Sequence, residues 1–455
     1  MFSKMLAAAV AACLLAVNSG TALAAELDDQ EVLAAALDDD VCEGPESECA
    51  VSLRQLRGER RREAPLILED EAPPQKDGNL GAMWHPPLIS TVHFVGDIHA
   101  DNNFLIRSLL STQRFTLKDG VIEWKPKLPT ANNWEIVITG DMIDKGDRSS
   151  STVLTLKRLS EDPVWGSRLN VLKGNHESGL LMIQEKYINA TKTPNDEWKP
   201  EQRFEDIIAQ VGQPGNDLIT WLVNRPVAYF GHGILAMHGG MSQHMAAELS
   251  KEPELDYVCK QPGNACGSAM VEFVNRKSVE FYRNAHFCMM RTKTETEALA
   301  SCNTTLPYFL AGENKTCGYT STGAEGLINY RGWSENDCIF DSGSRASCAS
   351  AAHTGMALGA DVMVVAHTTH RWIRELCKGS RVKIFNTDVH FGNKPHCGSY
   401  EPQECDLAVN HTFHNLTSAQ SLTIQQFADG RRFMYNCTSK LQTLSDFSLA
   451  CTRFT

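Results

Sequence analysis

The sequence predicts an α/β fold, on three observations. Short runs rich in Val, Ile and Leu recur from residue 89 onward, each run closes on a polar cluster, and the stretches between runs are long enough for helices. Strands alternating with helices in this way place ligand-binding residues at the carboxyl ends of the strands.

Before those runs lies a different kind of chain. Met1 to Ala25 has a short basic start, an apolar run from Met5 to Val17 and small residues at its end, the order of a secretory signal peptide. The apolar run is shorter than the roughly 20 residues of a spanning helix, so the mature chain is expected to be exported and free of a membrane anchor. Residues 26–87 carry acidic runs, a basic knot at Arg60-Arg61-Arg62 and a Pro-rich stretch, and read as a flexible extension or propeptide with a small loop closed by Cys42 and Cys49.

Losing Cys13 with the signal takes 15 cysteines to 14, an even number compatible with disulfides throughout. Six sequons, at Asn189, Asn303, Asn314, Asn410, Asn415 and Asn436, fit a secreted glycoprotein. Losing Lys4 leaves 42 basic against 55 acidic residues, a net charge of −13 that argues against a nucleic-acid backbone as partner.

Five strands are read from the runs Ser90 to Val95, Glu135 to Thr139, Leu169 to Leu172, Ile234 to Met237 and Val362 to Ala366, and Val382 to Asn386 looks like a sixth. The first closes on Gly96-Asp97-Ile98-His99, where alternation along the strand puts Asp97 and His99 on one face. The second closes on Gly140-Asp141-Met142-Ile143-Asp144-Lys145-Gly146 and the third on Lys173-Gly174-Asn175-His176-Glu177. His238-Gly239-Gly240 and Ala366-His367-Thr368 follow the fourth and fifth. Carboxylate, imidazole and amide donors together suit Mn, Fe or Zn better than Ca or Mg. Between His238 and His367, residues 255–350 hold seven cysteines, read as a Cys-rich cap insertion. Residues 88–400 are assigned to the main domain and 401–455 to a Cys-containing extension.

These five signatures, in this order, resemble the calcineurin-like metallophosphoesterases, and more closely the phosphoprotein phosphatases of the Shewanella-like branch, which share Val-Val-Ala-His-Thr and an upstream Tyr330-Arg331-Gly332. The resemblance implies a four-layer α/β/β/α sandwich. It implies one metal held by Asp97, His99 and Asp141 and a second held by Asp141, Asn175, His238 and His367. His176 resembles the family's general acid, Asp144 the carboxylate that orients it, and Arg331, with Asn175, the phosphate-binding set. Lys145 stands where the family has Arg; a point charge replaces a fork, and Arg148 is the candidate to compensate. A second-shell role fits Glu177, and a surface role fits His370.

The implied activity is hydrolysis of phosphate monoesters, on phosphorylated Tyr, Ser or Thr of proteins. The alternatives are a nucleotide or diadenosine-polyphosphate hydrolase and, from another class, an inactive secreted binding protein, whose mark would be a broken ligand set. Oligomeric state is not legible.

Overall fold

A computed structural model describes residues 88–128, 133–182, 196–198, 218–261, 265–289, 291–292, 295–302, 306–311, 326–330, 344–369, 372–389, 418–441 and 447–454. The signal segment, the 26–87 extension with Cys42 and Cys49, Cys317, Cys338, Arg331, His370 and five of the six sequons lie outside these residues.

Thirteen described strands run in chain order: β1 (Leu88–Val95), β2 (Phe115–Lys118), β3 (Val121–Trp124), β4 (Asn133–Ile138), β5 (Leu169–Val171), β6 (Ala228–Gly231), β7 (Ile234–Met237), β8 (Val362–Val365), β9 (Arg374–Glu375), β10 (Lys383–Asn386), β11 (Ser418–Phe427), β12 (Arg432–Leu441) and β13 (Phe447–Arg453). One sheet has the order β13-β12-β11-β1-β4-β5 and the other β6-β7-β8-β10-β9, while β2 and β3 form a separate hairpin. β1, β4 and β5 are parallel neighbours, as are β7, β8 and β10, so within each set the carboxyl ends share one edge.

Alternation decides what faces what. In β1, Val92 and Phe94 point into an apolar layer shared with Val137, Leu172, Tyr229, Ile234, Ala236, Val364 and Phe385, which lies between the two sheets. Val95 belongs with Ile136 and Ile138 to a second cluster that includes helical Leu105, Leu109, Val153 and Leu156. These helices are α1 (Asn102–Ser111) and α2 (Ser149–Ser160). Asp101 caps α1, its Oδ1 accepting from the N–H groups of Asn103 and Phe104 at 2.9 Å. α3 (Asn175–Leu181), α4 (Leu218–Val223), α5 (Gln243–Leu249), α6 (Ala265–Met289) and α7 (Ser344–Leu358) are among the other described helices. Two sheets face to face, each covered by helices, make the four-layer α/β/β/α sandwich.

One expectation is corrected here. The tail assigned as an extension beyond residue 400 supplies β11, β12 and β13, and β11 pairs antiparallel with β1, so it is half of the first sheet. Polar alternation in Ser418–Phe427 hid a strand whose Ala419, Leu422 and Ile424 are buried. The described part of the 255–350 insertion is Cys-rich, as expected, and its long helix packs against the second sheet. Its helix α6 buries Met270, Val274 and Tyr282, and Gly267 packs against Phe230 of β6 and the Leu358 carbonyl of α7. Disulfides Cys259–Cys266 and Cys288–Cys302 staple its ends. Cys348–Cys377 ties α7 to the segment between β9 and β10, and Cys437–Cys451 joins β12 to β13. Among the described residues no helix is long and apolar enough to cross a membrane.

Candidate metal centre

Every sequence-derived ligand follows a strand end, and the two sheets bring these ends together. Asp97 and His99 follow β1, Asp141 follows β4, Asn175 opens α3 after β5, His238 follows β7 and His367 follows β8. Two groups of donors have all their ligating atoms within 4.8 Å of one another: His99, Asp141 and His176, and Asp141, His238 and His367. Asp141 is common to both. Its Oδ2 lies 3.3 Å from His238 Nε2, 3.8 Å from His99 Nε2 and 3.7 Å from His176 Nε2. His238 Nε2 is also 2.9 Å from Asn175 Oδ1 and 3.1 Å from His367 Nδ1, and Asp97 Oδ2 is 3.5 Å from His99 Nε2.

The donor chemistry fits metal binding. Oxygen and imidazole nitrogen converge in a buried space, and the second nitrogen of two rings is engaged elsewhere. His238 Nδ1 donates to the Thr139 carbonyl at 3.0 Å and His99 Nδ1 faces the Ile143 carbonyl at 3.4 Å, which leaves each Nε2 turned to the cluster. Without metal, burial opposes charge on His238, yet the carboxylates of Asp141 and Asp97 raise it to about 9. Burial alone would raise Asp141, but His238 and His176 hold it well below the usual carboxylate range. A ligand must present its lone pair, so a metal held here would take His238 in its neutral form.

The loops that deliver these groups depart from ordinary backbone. Of nine non-glycine residues with positive φ among the described residues, six sit here: His99, Ala100, Asp141, Asp144, Lys145 and His367. Each costs on the order of 1 kcal/mol, sustained by the packing around it. Gly174 shows how tight that packing is, since a Cβ there would lie 2.1 Å from Asp141 Oδ1. Glu177 binds the loops together. Its carboxylate accepts from the N–H groups of Gly174, Asp141, Met142 and Ile143 at 2.7–3.2 Å, which gives the supporting role read for it a definite form.

His176 stands at the cluster's open side with its side chain 13% exposed, and its Nδ1 donates to Asp144 Oδ2 at 2.8 Å. Lys145 reaches in, with Nζ 2.8 Å from His99 Nε2. Arg148 does not: it is exposed at the start of α2, where its charge acts on Glu197. Tyr330, the neighbour of Arg331, is buried with its backbone against Gly239.

Asp388 is a site residue that the sequence reading missed. It is fully buried two residues after β10, hydrogen-bonds Asp97 and accepts from Thr369 Oγ1 at 2.9 Å; burial, with Asp97 beside it, raises it to about 7. Gly96 admits it, because a Cβ there would meet the Thr387 carbonyl at 2.1 Å. The signal was available: Asp388 follows the sixth strand as the ligands follow the other five.

The family model for calcineurin-like phosphoesterases matches residues 90–280. A symmetrical bis(5'-nucleosyl)-tetraphosphatase of Burkholderia pseudomallei (strain 668) is 26% identical over 213 residues, covering 42% of this chain and 70% of the relative. That of Burkholderia thailandensis is 25% identical over 214 residues, covering 43% and 70%. A cold-active protein-tyrosine phosphatase of a psychrophilic Shewanella species superposes with a TM-score of 0.41 at 19% identity, covering 76% of this chain and 80% of the other. The matched stretch delivers every ligand-bearing strand end but the one before His367, and residues 90–280 are a calcineurin-like phosphoesterase domain, which supports a metal-dependent hydrolase of phosphate esters.

Proposed function

We propose that the protein is an exported phosphomonoesterase acting on phosphorylated Tyr, Ser or Thr of proteins, in the manner of the phosphoprotein phosphatases its motifs resemble. One observation carries the reading: His176 hydrogen-bonds Asp144 through Nδ1 while its Nε2 faces Asp141, the carboxylate common to both donor groups. Asp97, His99 and Asp141 would hold one ion and Asp141, Asn175, His238 and His367 the other. Two such ions, Mn, Fe or Zn, supply the charge that polarises a phosphoryl group and acidifies water.

The chain's own residues do the rest. Asp144 fixes the His176 ring through Nδ1, which aims Nε2 to give a proton to the departing oxygen. Lys145 brings a cation to the same edge for a phosphate oxygen, and Arg331 is the proposed forked contact. Export, with residues 1–25 as signal, is supported by the four disulfides among the described residues, which need an oxidising compartment.

A second reading, hydrolysis of dinucleoside polyphosphates, is favoured by the names of the Burkholderia relatives. Metal-loaded protein assayed on phosphotyrosyl and phosphoseryl peptides and on diadenosine tetraphosphate separates the two. Asp141→Asn is expected to lose both metal and activity, whereas His176→Asn keeps its metal while kcat falls about 10²–10⁴-fold. A His176→Asn protein that loses metal would make His176 a ligand and remove the proposed acid.

A further inference from the structure

Trp372 is a large aromatic residue at the ligand edge that the chemistry above does not use. It is 50% exposed, while its neighbour Ile373 is 3% exposed and packed between the sheets. β9 runs antiparallel to β10 with Arg374 opposite Asn386, the last residue of β10. The chain therefore enters β9 from the edge where His238, His367 and Asp388 lie, and Trp372 precedes Arg374 by two residues on that edge.

The other sheet fixes the same spot. The Ile373 N–H donates to Gln420 Oε1 at 3.2 Å, and because Leu422 pairs with Phe94, Gln420 lies two residues further on, level with Gly96 and next to Asp97. On the near side, Thr369 bonds Asp388 at 2.9 Å, and three residues span at most about 10 Å to Trp372. Single exposed apolar residues are ordinary on protein surfaces. This one sits on a stretch pinned to both sheets beside the cluster, unlike exposed Tyr257 and Phe287, which sit on the insertion's helices.

We propose that Trp372 is a specificity-determining residue whose indole stacks on a planar aromatic ring of the substrate, either a phenol ring on the ester oxygen or a nucleobase. This rests on the phosphoesterase reading. A flat indole offers a rigid face at small entropic cost, and stacked rings gain beyond the area they bury. Substrates with an aliphatic leaving group gain nothing from it.

Binding of non-hydrolysable phosphonates to Mn-loaded protein, followed by calorimetry, tests this without turnover. In Trp372→Ala, phenylphosphonate is expected to bind about tenfold more weakly, methylphosphonate within twofold of wild type, and Trp372→Phe to retain most of the difference. A selective loss for α,β-methylene-ADP in place of phenylphosphonate would identify the ring as a nucleobase. Equal losses for all three ligands, or none, overturn the proposal. Turnover is read separately: protein that binds the phosphonates and cleaves no phosphate ester sinks the catalytic reading and leaves the stacking result standing.

Discussion

Lys145 shows what one substitution within a motif does. Where the family has Arg, this chain places an ammonium 2.8 Å from His99 Nε2, while Arg148 stays exposed and acts on Glu197. Compensation by Arg148 is therefore not what the geometry favours. Lys145→Ala is expected to weaken inhibition by inorganic phosphate about tenfold, as for loss of a charge-assisted contact, and Arg148→Ala to change it less than twofold. Equal effects in the two variants would return Arg148 to the phosphate site. His93 gives a prediction of another kind. It is buried with Nδ1 3.0 Å from Thr423 Oγ1, and burial, with the Arg114 guanidinium nearby, holds its pKa well below the ordinary value of 6.5. Below about pH 6.5 the unfolded chain takes up a proton that the folded one refuses, so stability falls as pH drops through that range. Urea unfolding at pH 7, 6 and 5 is expected to show His93→Gln losing less stability than wild type at each step, the difference growing toward a ceiling of about 1.4 kcal/mol per pH unit.

At the scale of elements, the chemistry depends on loops that touch without intervening side chains. Gly174 has an ordinary φ of −99° and no room, whereas Gly120 in the β2–β3 turn has room and a φ of +78°. Gly174→Ala is expected to displace Asp141 and cost activity about 10²-fold, with loss of bound metal. Gly120→Ala is expected to cost about 1 kcal/mol of stability and leave kcat unchanged. A Gly174→Ala protein with full metal content would show that the two loops can part without harm. The strands that carry ligands were legible because each buried run ends abruptly in a signature; Ile234 to Met237 was read with the bounds it has in the structure. Asp388 and β11–β13 were not, for two different reasons. Asp388 stands alone after its strand, with no neighbouring motif to mark it. Ser418–Phe427 mixes Ser, Gln and Thr with its apolar residues, and because Ser421 and Thr423 are buried beside Leu422 and Ile424, polarity does not mark its buried stretch.

For the whole molecule, four described disulfides join segments that the hydrophobic layers already hold. Cys348–Cys377 closes the longest span, 29 residues, and Cys259–Cys266 the shortest, 7 residues. Loop entropy gives about 3–4 kcal/mol for the first and about 2 for the second. The paired Cys348→Ala, Cys377→Ala variant is therefore expected to melt below the Cys259→Ala, Cys266→Ala variant. The reverse order in a thermal scan would place the greater constraint at the insertion's end.

The pairing of β11 with β1 reaches into biosynthesis. During translation the strand bearing Asp97 and His99 leaves the ribosome early, and the partner for its free edge is made more than three hundred residues later, starting at Ser418. Until then the nascent chain exposes an open row of backbone donors and acceptors, a surface for chaperones to cover and for other chains to misuse. A polypeptide stalled between residues 368 and 417 would contain all six proposed ligands and still lack the strand that pairs with the one leading into two of them. The metal centre thus cannot be completed before the strand that opens at Ser418 has been made.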